Sequence, residues 1–257
     1  MTDCYSFHQG VSPLLVSVPH DGRELPRSIS ATMTDAGRAL PDTDWHVARL
    51  YEFAKEIGAS MIVANYSRYV IDLNRPADDT SMYEGQRSTG LCPLQTFDGR
   101  DLYSGDPSID IEDRLARYWR PYHDKIQGVL EACRDSHGHA LLWDAHSITS
   151  RMPTLFDGEL PVLNIGTYDG RSCATSLSDA VLSVAQESPY GVVFNARFKG
   201  GYTTRHYGRP AQNVHAIQLE LAQRAYMDEQ TREYDDEKAS QLRDTLRRML
   251  SALTMPA

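Results

Sequence analysis

Two histidines stand just beyond short apolar runs that are far apart in the chain. His20 follows LLVSV (14–18) through Pro19, and His146 follows ALLWD (140–144) through Ala145. Between them, Asp42 and Asp44 precede an amphipathic stretch. Two imidazoles and a carboxylate, with a fourth position left for water, form the protein donor set of a catalytic zinc. A second group of residues suits an anion. The run RYVIDLNRP (68–76) leads to Asn74 and Arg75, and an arginine fork matches a carboxylate while a neighbouring amide adds hydrogen bonds. The segment FKGGYTTRHYG (198–208) sets Arg205 among three glycines in what reads as a loop. Glycine allows close backbone approach, and a phosphate cradle is disfavoured because no GK[ST] follows and the segment does not open a helix. Glu220 closes the apolar run AIQLEL (216–221). A carboxylate there is costly unless paired or used, and beside a metal-activated water a glutamate is the usual base of amide hydrolysis.

Ser147 is a poor nucleophile candidate. No GxSxG elbow surrounds it, and adjacent residues in an extended segment point away from each other, so His146 cannot serve it. His8, His123, His137 and His139 read as ordinary hydrogen-bonded or surface side chains. Asp144, two residues before His146, is placed to orient a ligand from behind.

These residues need elements to carry them. Apolar, β-branched runs alternate with amphipathic stretches, the pattern of an α/β protein. Strands are expected at 14–18, 60–65, 69–73, 140–144, 162–166, 191–195 and 216–221. Helices are expected at 45–57 with Asp42, Thr43 or Asp44 as N-cap, at 115–133 with a kink or break at Pro121, at 174–187 and at 237–253. In such sheets ligands bind beyond the carboxyl ends of strands, which is where His20 and His146 fall. Residues 77–110 read as a long surface excursion, placed to act as a lid after Arg75.

With 257 residues, the chain is read as one α/β domain over 1–257. Its net charge of −9 argues against nucleic acid or an anionic membrane as partner. The four cysteines form no CxxC pair, which fits a reducing, cytoplasmic setting. No segment approaches the roughly 20 apolar residues of a membrane span, and the first residues lack a basic-then-apolar leader.

Taken together, the residues resemble the N-formylglutamate amidohydrolase family. The matching segments, in order, are FHQGVSPLLVSVPHDG, LPDTDWHVARLY, YSRYVIDLNRP, WRPYH, LLWDAHSITSRMPTLFDGELPVLNIGT and FKGGYTTRHYGRPAQNVHAIQLELAQRAYM. The resemblance implies a three-layer α/β/α fold with a mixed, largely parallel sheet of the zinc-carboxypeptidase and aspartoacylase type. It implies a Zn²⁺ ion, or another divalent metal, held by His20, Asp44 and His146. The wider group uses His-x-x-Glu, but here the third residue after His20 is Arg23 and Glu24 comes one position late. Asp44 is therefore taken as the carboxylate, with Asp42 and Glu24 as rivals. The implied substrate is N-formyl-L-glutamate, cleaved to formate and L-glutamate in histidine degradation. Glu220 would be the base, Asn74, Arg75 and Arg205 would bind the two carboxylates, and Arg68 would stabilise the oxyanion or position a ligand. The alternatives are a metal-dependent deacylase or deformiminase of another acidic amino-acid derivative, and a non-catalytic binder of acidic amino acids.

Overall fold

Parallel strands sandwiched between helices must be apolar on both faces, and the uninterrupted apolar runs of this chain become such strands. The computed structural model describes residues 3–81 and 89–254. Its strands are β1 (Tyr5–His8), β2 (Leu14–Val18), β3 (Ser60–Ala64), β4 (Ala140–Ile148), β5 (Leu163–Gly166), β6 (Val192–Phe194) and β7 (Val214–Ala222). The helices are α1 (Arg27–Ser30), α2 (Asp35–Arg38), α3 (Val47–Leu50), α4 (Ile111–Arg114), α5 (Arg120–His137), α6 (Thr175–Gln186), α7 (Tyr202–Tyr207) and α8 (Asp236–Thr254).

The strands form one sheet in the order β1-β3-β2-β4-β7-β5-β6. β3, β2, β4 and β7 run parallel, β1 is antiparallel to β3, and the parallel pair β5–β6 lies antiparallel to β7. The sheet is thus mixed and largely parallel, as expected. Alternation along the strands divides the core. Leu141, Trp143, Ala145, Ile217, Leu219 and Leu221 pack with α3, α6 and α8, while Ala140, Leu142, Val214 and Ala216 pack under α5.

Several elements depart from expectation. The run YVIDL (69–73) is not a strand: its side chains are buried, but its Val70 and Leu73 carbonyls are bound by side chains of other elements. The expected helix at 45–57 divides into α3 and a 3-10 turn at Glu52–Lys55. The N-cap of α3 is His46 at φ 63°, and the exposed N–H groups of His46 and Ala48 are bound from a distance by the Asp21 carboxylate. The helix expected at 115–133 is divided just before Pro121, which stands in the first turn of α5. A π turn at Leu115–Trp119 precedes it, which absorbs the hydrogen bond that proline cannot donate. The stretch read as a loop at 198–208 contains α7, so its glycines do open a short helix. β1 was not expected. Residues 82–88 of the 77–110 excursion lie outside the described residues.

Candidate metal and substrate site

β4 and β7 pair over nine residues each, and their register sets His146 opposite Glu220 and Asp144 opposite Gln218. All four lie on the sheet face that carries Leu142 and Ala216 toward α5, but further along the strands, where the apolar layer ends. His20 comes in from the adjacent β2. Asp44 reaches the same place because its backbone N–H donates to His20 O at 3.0 Å.

His146 Nδ1 lies 3.1 Å from Asp44 Oδ2, and His20 Nδ1 lies 3.7 Å from that oxygen. One donor atom each from His20, Asp44 and His146 falls within 4.8 Å of the others, and all three residues are buried. Asp42 and Glu24 do not join them. Asp42 accepts hydrogen bonds from Tyr69 OH and Phe97 N–H, and Glu24 is exposed and bridges to Tyr66 through its backbone.

The far side of each imidazole is fixed. His20 Nε2 lies 2.8 Å from Asp72 Oδ1, and His146 Nε2 lies 3.2 Å from Asp144 Oδ2. A carboxylate behind an imidazole keeps the proton on Nε2 and turns the Nδ1 lone pair forward. His20 Nδ1 is buried with no hydrogen-bond partner among the described residues. A buried orphan nitrogen is costly, and a cation between His20, Asp44 and His146 would satisfy it. The N₂O donor set suits a divalent metal, so the residues present fit the group.

Electrostatics point the same way. Burial works against the charge of Asp44, but the hydrogen bond from His146 and the adjacent His20 imidazole outweigh it and hold the carboxyl below the usual range. Asp72 is likewise held well below it, burial being outweighed by Arg68, His20 and Arg75. For His146 burial opposes protonation, yet Asp144 and Asp44 raise its pKa well above that of an ordinary histidine. Glu220 behaves differently. Burial pushes it up to about 8, with Asp44 and Asp144 adding to the rise and His146 and Arg68 opposing it.

Around these groups is a cavity of about 110 Å³, well below the roughly 300–1,000 Å³ of drug-sized pockets, so its ligand is small. His20, Asp44, His146 and Glu220 line one side, Ile148, Leu155, Phe97 and Phe198 form an apolar wall, and Arg68, Arg75 and Arg197 supply cations. Arg68 is already ion-paired, 2.7 Å from Asp72 Oδ2 and 3.7 Å from Asp44 Oδ1, with its guanidinium over the Phe97 ring. Arg75 donates from Nη1 to Asn74 O, while its buried Nε has no hydrogen-bond partner among the described residues.

Two expected substrate contacts sit differently. Arg205 does not line the cavity: its Nε donates to Gly200 O at 2.8 Å and its guanidinium lies over the Tyr168 ring. Asn74 lines the cavity, but its amide oxygen is engaged within the protein, accepting from Thr203 N–H at 2.9 Å, and its Nδ2 packs 3.0 Å from His146 Nε2. Arg197 takes the place expected of Arg205 and was not foreseen. The rule about strand ends points away from it, since β6 runs opposite to β4 and β7 and the chain returns to the site only afterwards. Ser147 points to the other sheet face, where its hydroxyl accepts from Tyr226 OH at 2.7 Å.

β4 runs on past the expected end at 144 to Ile148, so His146 lies within the strand. A mixed sheet with a buried acid–imidazole cluster in the carboxyl-terminal parts of its central strands suits a hydrolase of the α/β class, and comparison with known proteins narrows it. The family model for N-formylglutamate amidohydrolase matches residues 12–227. A protein of Pseudomonas putida named N-formylglutamate deformylase is 46% identical over 98% of this chain and 96% of its own length. One of the same name from Pseudomonas aeruginosa is 49% identical over 98% and 97%. The crystal structure of an N-formylglutamate amidohydrolase from Ralstonia eutropha shares the fold, with a TM-score of 0.85 at 24% identity over 98% of both chains. A gene product of Agrobacterium tumefaciens superimposes at a TM-score of 0.73 with 18% identity, over 99% of this chain and 97% of its own. The chain belongs to the N-formylglutamate amidohydrolase family. It is a hydrolase acting on an amide, and among the described residues no helix is long and apolar enough to cross a membrane.

Proposed function

We propose that this chain, acting as a single catalytic unit, hydrolyses N-formyl-L-glutamate to formate and L-glutamate with a divalent metal, zinc fitting the donors best, held by His20, Asp44 and His146. The observation that carries this reading is one small cavity that combines those three ligands and Glu220 with two arginines, Arg75 and Arg197, besides Arg68. Two cations match a substrate with two carboxylates. The metal, when bound, supplies a Lewis acid and a more acidic water.

The chain's own residues do the rest. Arg75 and Arg197 bind the two carboxylates and hold the formyl group against the metal ligands, which lowers the entropic part of the barrier. Glu220, raised by burial, is a base strong enough to take a proton from the attacking water. It returns that proton to the nitrogen as the C–N bond breaks, so that glutamate leaves as an amine and the formyl carbon as formate. Arg68, fixed by Asp72, presents positive charge where the formyl oxygen gains negative charge. The apolar wall of Phe97, Leu155 and Phe198 keeps bulk water from the reacting atoms.

The test is formate release from N-formyl-L-glutamate by the purified protein, before and after chelation and with zinc restored. N-acetyl- and N-formimidoyl-L-glutamate serve as comparisons. Release that is lost to the chelator and regained with zinc is expected. No release by metal-loaded protein, or faster turnover of either comparison compound, rejects the assignment.

A further inference from the structure

The segment that carries Asn74 and Arg75 has almost no ladder of its own, yet each of its carbonyls is held. Leu73 O accepts from His123 Nε2 at 2.9 Å, Asn74 O from Tyr202 N–H at 3.4 Å, and Arg75 O from Trp119 Nε1 at 2.9 Å. One turn earlier, Val70 O accepts from Arg114 Nη1 at 2.7 Å. Three of these four donors, Arg114, Trp119 and His123, come from the helical rod formed by α4, the π turn and α5.

Their spacing explains the π turn. Trp119 and His123 are four residues apart and share a face of any α-helix. Arg114 and Trp119 are five apart, which in an α-helix leaves them about 140° out of line. The i→i+5 bonding of a π turn at Leu115–Trp119 brings them back to one side. π turns of this kind are frequent at functional sites. His123 is 4% exposed, and burial lowers its pKa to about 3, the bond to Leu73 O only partly offsetting this. It is therefore a neutral imidazole that donates from Nε2 to Leu73 O and accepts at Nδ1 from Tyr207 OH, 3.0 Å away. The Trp119 and His123 rings lie against each other with centroids 3.9 Å apart.

We infer that Trp119 and His123 are positioning residues for the substrate-carboxylate clamp: they grip the backbone on either side of Asn74 and so aim the Arg75 guanidinium into the cavity. Neither is a ligand of the metal cluster, and neither lines the cavity. Their effect is on substrate binding, transmitted through Leu73 O and Arg75 O. The inference rests on the reading that Arg75 binds a substrate carboxylate.

Trp119→Phe keeps an aromatic ring and removes the N–H. The expected result is a KM for N-formyl-L-glutamate raised up to about tenfold, the effect of losing one well-placed, partly buried hydrogen bond, with kcat and zinc content close to wild type. His123→Leu should act alike, and His123→Gln, which restores an N–H donor, should recover part of the loss. The decisive arm is the Arg75→Ala background, where Trp119→Phe should add nothing further, because its target is gone. An unchanged KM in Trp119→Phe, or the same fold increase with and without Arg75, overturns the inference. Should Trp119→Phe fail to show a cooperative melt, the same comparison is made with His123→Leu and His123→Gln in both backgrounds, and equal effects with and without Arg75 again overturn it. Failure of wild-type protein to release formate sinks the substrate reading and not this one, which is then judged on the change Trp119→Phe makes to L-glutamate affinity measured by calorimetry.

Discussion

Adding a single methyl group at Gly201 should disable the site without touching any group that reacts. Gly201 has ordinary extended backbone, φ −84°, so alanine carries no conformational penalty there. The obstacle is space. A Cβ at this position would lie 2.2 Å from Asn74 Nδ2, which falls 1.2 Å short of the 3.4 Å at which ordinary contact begins, and 2.5 Å from Asn74 Cγ and Oδ1. Gly201 cannot retreat easily, because its N–H donates to Gln218 Oε1 at 2.7 Å. Asn74 must yield, giving up its bond from Thr203 N–H and its contact with His146. Overpacking of this kind costs about 1–3 kcal/mol, and at roughly 2–4 °C per kcal/mol for a chain of this size the melting temperature should fall by several degrees. Activity should fall further than stability, since an error of about 1 Å near reacting groups costs on the order of 100-fold. The assay is formate release under saturating and limiting substrate, with a thermal melt and metal analysis on the same preparation. A Gly201→Ala protein with wild-type kcat/KM would refute the tight placement of Asn74 between the glycine and the metal cluster.

Other expectations bear on the separate parts of the site. Glu220→Gln should retain its zinc and lose roughly 10²- to 10⁴-fold in kcat; near-normal turnover removes Glu220 as the base. His146→Ala should bind far less zinc, as read by elemental analysis, and full occupancy would exclude it as a ligand. The pH profile follows from the burial of Glu220, whose carboxyl is raised from 4.5 to about 8. The base form appears as pH rises, so kcat/KM should climb through an acid limb above pH 4.5 and no higher than about 8, a bound cation drawing it toward the lower end. A flat profile across that interval contradicts the assignment.

The parts of this protein that were legible in its sequence are those where one residue's environment is set by its own strand. LLVSV and ALLWD are buried on both faces, so their apolar runs are continuous and the polar residues beyond them, His20 and His146, stand out. Asp44 was separable from Asp42 only in part, because nothing in the spacing foretells that Tyr69 and Phe97 occupy Asp42. YVIDL looked like a strand because burial is written in side chains, whereas strand pairing depends on backbone partners, and here those partners are Arg114 and His123 from a distant helix. YSFH alternates as a half-buried strand does, but four residues are too few to announce an edge strand. Arg197 and Arg205 lie eight residues apart on one segment, and nothing in its composition tells that Arg197 lines the cavity while Arg205 sits in α7, a helix six residues long that leaves little periodic signal.

The nine-residue pairing of β4 with β7 has a consequence for how such a protein can change. His146 and Glu220 occupy one rung of that ladder, so the separation of ligand from base is tied to the spacing between strands, about 4.8 Å in any sheet. No loop rearrangement alters it. The arginines and the apolar wall, by contrast, ride on connections at 75, 97, 155 and 197–198 that no ladder constrains. The ligand–base spacing is therefore set apart from the residues that meet the substrate, and replacement of those connections should retune which acyl amino acid is accepted while the His146–Glu220 rung is inherited intact.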